Sequence, residues 1–240
     1  ARRHGNRRDS IRVLRDRLLE TLPPKQLEPE GGLKMDGAVL APGGVASWLA
    51  AHGTALVGVQ AEGSWRAGSG DLRGLARASQ DSSAAWLDAT TLTPADDAAL
   101  ASWLADEHAP KAMHDAKGPL LAIWERGWDL RGLSVDTSLA AYLLRPDQRV
   151  FDLGDLTIRH LKRDLAAEAA STKPDEDAQL ALFADAPDDS GADAMLRARA
   201  VVELAEVLTD ELDAQGAGRL LDDVELPLLR ILARMERTGV

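Results

Sequence analysis

Residues 57–63 read VGVQAEG. An apolar run from Leu56 to Val59 ends at Gln60, and Glu62 follows two residues on. An Asp-x-Glu pair leaving the end of a strand would supply half of the carboxylates that hold two divalent cations for phosphodiester hydrolysis. Hard cations take oxygen ligands, and their four positive charges need acids to balance them. Here the first acid of such a pair is an amide. The other residue types capable of chemistry are sparse. His114 and Asp115 are adjacent, but no second histidine or third ligand lies near them in sequence, so His114 reads as a strand-end histidine held by structural hydrogen bonds. The five histidines show no zinc spacing. The GSGD stretch at residues 68–71 is a lone glycine turn, too short for a phosphate loop.

The elements that must position these residues follow from periodicity. DSIRVLRDRLLETL (9–22) sets Ile11, Leu14, Leu18 and Leu19 on one helical face, and PPKQLEPEGG after it is a linker. From Gly37 the pattern changes. GAVLA predicts a strand, VASWLAAHG a short helix, and TALVGVQ, DLRGLARAS and SAAWLDAT three successive strands. Thr93 caps a helix with acids in its first turn, PKAMH is a short strand, and AKGPLLAIWERG is a helix stopped by Gly127. Asp136 opens the next helix as its N-cap, a role that fits it better than metal binding. Helices continue through DLGDLTIRHLKRDL. Residues 167–194 lose periodicity, become rich in Ala, Asp and Pro, and read as an acidic loop. A helix from Ala194 to Leu212 and a last one with Pro227 near its first turn complete the chain. Strands followed by helices predict an α/β domain with a mixed central sheet. Trp103 and Trp124 fall on amphipathic helices and read as core rather than as base-stacking platforms, and Trp65 follows a turn.

Composition bounds the function. The 240 residues are 45% hydrophobic, enough to bury a core, and contain no cysteine, which excludes disulfides and thiolate zinc sites. No apolar run approaches the roughly 20 residues needed to span a bilayer, and the N-terminus lacks the apolar segment of a signal peptide, so a cytoplasmic protein with no membrane partner is expected. The formal net charge of −11 argues against a chain that grips DNA strongly by itself. Arg2, Arg3, Arg7 and Arg8 crowd the first positions and read as a solvated tail.

Three stretches together resemble the 3′–5′ exonuclease-like domain of bacterial, actinobacterial-type family A DNA polymerases: LRDRLLET (14–21), WDLRGLSVDTSLAAYLLRPDQRVFDLGDLTIRHL (128–161) and VELPLLRILARMERTGV (224–240). In the last, Glu225, Pro227, Leu232, Met235, Glu236, Gly239 and Val240 fill in order the pattern by which that family passes from exonuclease-like into polymerase domain. The resemblance implies a ribonuclease H-like fold, with residues 1–33 an N-terminal helix and linker, 34–220 the exonuclease-like domain and 221–240 the start of the polymerase domain. It also implies that the chain is a piece, with DNA bound mainly through the parent polymerase, the polymerase domain of the same chain as a partner, and Mg²⁺ belonging to that domain, with no cofactor expected in this fragment.

The same resemblance supplies the acids of a live site as D-x-E, N-x-x-x-D and Y-x-x-x-D. Carried over, the first pair falls on Gln60 and Glu62. The second places Asp115 near the Asn position and Pro119 at the acid. The third places Asp193 at the Tyr position and Arg197 at the acid, with Arg199 on the next turn. One carboxylate of four remains, and a guanidinium cannot deprotonate to serve a metal. The resemblance therefore implies a degenerate site, with no catalytic or metal residue in this fragment. Two other readings stay open: an active metal-dependent exonuclease using displaced ligands such as Glu62, Asp115 and Asp193, and an adaptor for the sliding clamp. The second rests on QLALF (179–183), which resembles the pentapeptide by which bacterial replication proteins dock on that clamp. Gln179 would reach a pocket rim while Leu180, Leu182 and Phe183 fill apolar pockets.

Overall fold

A computed structural model describes residues 31–52, 55–65, 69–165 and 190–239. The N-terminal helix expected over 9–22 and the QLALF motif lie outside these. Among the described residues, β1 (Asp36–Val39), β2 (Val57–Ser64), β3 (Asp71–Ser79), β4 (Ser83–Asp88), β5 (Lys111–Met113) and β6 (Leu133–Asp136) form one sheet in the order β1-β4-β3-β2-β5-β6. β3 runs antiparallel to both β2 and β4, whereas β1 joins β4, and β5 joins both β2 and β6, in parallel. The sheet is mixed, as expected. β6 is the strand that periodicity misses: its four residues run straight into a helix cap, and the cap is the stronger signal.

Alternation along the strands sorts side chains between two layers. Val57, Val59, Ala61 and Leu75 face one way, into a core shared with α1 (Val45–Ala51), α2 (Pro94–Ala105), α3 (Lys117–Glu125) and the buried Leu229 and Ala233 of α7 (Leu226–Thr238). Ala76, Ala78 and Ala84 face the long helix α6 (Ser190–Ala214). Ala112 and Val135 pack with α4 (Thr137–Leu144), α5 (Leu153–Leu156) and the middle of α6. A π-helical turn at Thr157–Leu161 extends α5. Helix α6 starts at Ser190, not at Ala194, and so takes in the last residues of the stretch read as an acidic loop. Asp193 lies in its first turn, where a carboxylate complements the exposed N–H groups, and Gly191 packs so closely on Trp86 that a Cβ there would stand 2.9 Å from the ring.

Two carboxylates tie helix starts together. At α2, Thr93 and Asp96 form a capping box, and Asp96 also accepts from the backbone N–H groups of Gly43 and Val45, which fixes the turn before α1. The Thr93 hydroxyl and these N–H groups hold its carboxyl below the usual range. At the centre, Asp136 accepts from Ser138 N (3.0 Å) and Leu139 N (3.3 Å) of α4, and from Asp115 N (3.3 Å) and Ala116 N (2.8 Å) at the start of α3. Asp115 takes a left-handed backbone (φ 51°), a conformation Asp tolerates better than most residues.

The layer beneath α1 and α2 contains two buried cations. The guanidinium of Arg77 stands 4.9 Å from the Trp48 ring centroid and 5.7 Å from that of Trp103, and donates to the His52 carbonyl at 2.8 Å. Lys111 is completely buried; its Nζ lies 5.0 Å from the Trp103 centroid and donates to the carbonyls of Asp106 (2.9 Å), Ala109 (2.8 Å) and Arg131 (3.0 Å). Burial lowers Arg77 to about 10 and Lys111 to about 8.

Two outcomes are expected. Asp136→Ala orphans two pairs of backbone donors and should lower stability by about 3 kcal/mol in urea unfolding, with Asp136→Asn recovering part of the loss. For Lys111 the folded pKa lies below the unfolded one, so between pH 8 and 10.5 the unfolded chain holds more protons and stability rises with pH. Across that window the wild type should gain on Lys111→Met by on the order of 1 kcal/mol per pH unit, read from paired urea curves.

Candidate functional site

Residues 58, 60 and 62 of β2 share the face turned to α6. At Gly58 the helix comes so near that a Cβ would stand 1.9 Å from the Ala198 carbonyl oxygen, a clash with backbone that no rotamer relieves. Just beyond Glu62 the pairing shifts register, with Arg73 of β3 left as the extra residue opposite the Glu62–Gly63 step. On this face the Gln60 amide donates to Glu62 Oε1 at 3.2 Å and to the Ala61 carbonyl at 3.1 Å.

α6 brings the countercharge. Arg197 Nε donates to Asp193 Oδ2 at 2.6 Å, one helical turn back. The bond to Asp193 raises the Arg197 pKa further, and Glu62 and Asp152 act in the same direction through space. Glu62, Asp193 and Arg197 are thus brought into one charged cluster. Asp152, which sequence reasoning passed over, joins them: it caps α5 by accepting from Gly154 N (2.9 Å) and Asp155 N (3.4 Å). An Asp directly before Leu-Gly-Asp-Leu is a legible cap signal, but nothing in the sequence says that the cap faces α6. Arg199 turns elsewhere, to the Ser79 carbonyl (2.8 Å) and Glu203 (2.6 Å).

Pro119 is buried in the first turn of α3, where a missing N–H is harmless, and it offers no donor atom for a cation. The preceding Gly118 lies against Trp65, whose ring a Cβ would meet at 2.2 Å, so Trp65 packs on the start of this helix. His114 Nδ1 lies 2.8 Å from Thr137 Oγ1. Burial pulls the His114 pKa down, Asp136, Asp115 and Asp152 pull it up, and Arg197 adds to the lowering. Asp136 itself is pushed up by burial and opposed by its backbone N–H donors.

The donor set does not fit a pair of divalent cations. Glu62 already shares an oxygen with an amide N–H, Pro119 has nothing to give, and a guanidinium that cannot lose its charge sits in the field of the remaining acids. Among the described residues no three His, Asp or Glu side chains converge as a metal site requires.

Against this geometry the similarities to known proteins are consistent. Residues 71–170 match the family described as DNA polymerase I, ribonuclease H-like domain. DNA polymerase I of Mycobacterium tuberculosis is 45% identical over 237 residues, which is 96% of this chain and 25% of that protein. The chain therefore spans about a quarter of the length of the curated relatives it matches. Among solved structures, the POL domain of Pol1 from M. smegmatis, in complex with DNA primer-template and dNTP, superposes with a TM-score of 0.71 at 40% identity, covering 85% of this chain and 32% of that one. Brucella melitensis NrnC shares the fold alone, with a TM-score of 0.55 at 14% identity over 87% of this chain and 91% of that one. Among the described residues no helix is long and apolar enough to cross a membrane. With its ribonuclease H-like mixed sheet and its likeness over nearly its whole length to part of mycobacterial DNA polymerase I, the chain is homologous to the 3′–5′ exonuclease-like domain of bacterial DNA polymerase I.

Proposed function

We propose that this domain is catalytically inactive and gives structural support to the DNA-directed DNA polymerase of its parent protein, in repair and lagging-strand maturation. The observation that carries the reading is the guanidinium of Arg197 among Glu62, Asp193 and Asp152, where a hydrolytic site would need acids around divalent cations. In this reading residues 34–220 are the exonuclease-like domain, 221–240 begin the polymerase domain, and Mg²⁺ serves that domain only. Helix α7 supports the boundary. Leu229 and Ala233 bury on the exonuclease-like core, while Leu228, Ile231, Leu232 and Met235 remain 41–52% exposed as an apolar stripe that a following domain would cover.

The test is incubation of the chain with a 5′-labelled single strand in Mg²⁺ or Mn²⁺. No trimming is expected. Metal-dependent shortening that disappears in Glu62→Ala would establish instead an active exonuclease with displaced ligands, and the support reading would fall.

The sliding clamp is a further proposed partner, supported by the sequence QLALF alone. Capture of the chain on immobilised clamp should be lost in the Leu182→Ala/Phe183→Ala variant, and equal capture of both forms would remove the clamp from the proposal.

A further inference from the structure

Helix α7 has a second exposed flank. Arg230, Arg234 and Arg237 recur at i, i+4 and i+7, roughly 140° around the helix from the apolar stripe at 100° per residue. With Trp124, Gly127, Trp128 and Asp129 they line an open cleft of about 370 Å³ that shares no residue with the Glu62–Arg197 cluster. Asp129 accepts from Arg230, from Trp124 Nε1 (3.1 Å), from Arg131 Nε (3.1 Å) and from its neighbour's N–H, Leu130 N (3.0 Å). Its oxygens are therefore already engaged, and Arg230 is neutralised and fixed. Among the described residues neither Arg234 nor Arg237 is paired with a carboxylate. Trp124 is bracketed by cations, with the Arg230 guanidinium 5.4 Å and the Arg237 guanidinium 6.0 Å from its centroid. Two unbalanced arginines beside a partly buried tryptophan, in a chain of net charge −11, concentrate positive potential at one place.

We propose that this cleft binds the phosphodiester backbone of a single-stranded nucleic acid. Arg234 and Arg237 contact phosphates, and Trp124 offers its edge of apolar surface to an unpaired base. A strand suits the site better than a free nucleotide. Arg234 and Arg237 stand about 4.5 Å apart along the helix axis, more than the roughly 3.4 Å rise per nucleotide of a stacked strand, so they can meet successive phosphates. The inference stands apart from the catalytic reading of the Glu62 cluster.

Fluorescence anisotropy of a labelled oligothymidylate, titrated with the full chain at several salt concentrations, tests it. Arg234→Ala/Arg237→Ala should weaken binding roughly tenfold and reduce the salt slope by about 1.4, the loss of two single-strand phosphate contacts. Alanine favours the helix at these exposed positions, and Arg234→Gln/Arg237→Gln should give the same loss with unchanged circular dichroism. Removing two exposed arginines elsewhere, Arg145→Ala/Arg149→Ala, should leave binding as it was. Three results would overturn the proposal: no loss in the Arg234/Arg237 variants, an equal loss in the Arg145/Arg149 control, or displacement of the strand by pyrophosphate at matched phosphate concentration, which would mark a site for small phosphate anions.

Discussion

The charge balance among Arg197, Asp193, Glu62 and Asp152 governs how the polar face of β2 is built. As an exposed i,i+4 contact, the Arg197–Asp193 pair is worth only about 0.5 kcal/mol. Its consequence is one of position. A side chain that keeps its proton at every relevant pH supplies the positive charge that these acids would otherwise seek from solution ions. Gln60 completes the arrangement from the strand, since its amide satisfies a Glu62 oxygen without adding negative charge.

That balance depends on backbone contact. Glycine at 58 lets α6 lie directly on β2, and the adjacent Arg197 is carried to the strand face that holds Gln60 and Glu62. On the far side of the sheet the fit is made by cations and indoles. Trp48, Arg77, Trp103 and Lys111 form a group in which each cation meets an aromatic face and at least one backbone carbonyl. Burying an ammonium this way is unfavourable enough to lower its pKa. The three carbonyls also join the loop after α2 to the approach to β6, so the lysine fixes the register of an otherwise short strand pair.

Much of this was legible from residue patterns, and the failures have physical causes. Strands β3 and β5, helices α1 to α3 and the Asp136 cap announce themselves through alternation, capping residues and glycine stops. β6 does not, because four residues that end in a cap carry too little alternation to register. The start of α6 is hidden by acidic composition, which resembles a loop until Gly191 is seen against Trp86. Arg73 and Arg77 lie four residues apart on β3 and look alike in sequence, yet Arg73 is exposed at the register shift and Arg77 is buried beneath two tryptophans contributed by other elements. Trp124, read as core, is only partly so, because α7 places arginines over it across more than a hundred residues of chain. Glu62, Asp193 and Arg197 were each legible as residues of interest through family resemblance. Their meeting with Asp152 was not, since that depends on how α5 and α6 pack.

The same electrostatics weigh on single changes toward an acid at each of these positions. An acid at position 60 would stand beside Glu62 with no added cation, and like charges at that distance disfavour ionisation of one another. An acid at 197 would replace the guanidinium of the cluster and add to its negative charge. An acid at 119 would have to replace a buried proline in the first turn of α3, where the space is already closed. Each step toward a divalent site is unfavourable until all three, on β2, α3 and α6, are present together. The composition of the cluster is therefore held by its electrostatics as a set rather than by any one residue.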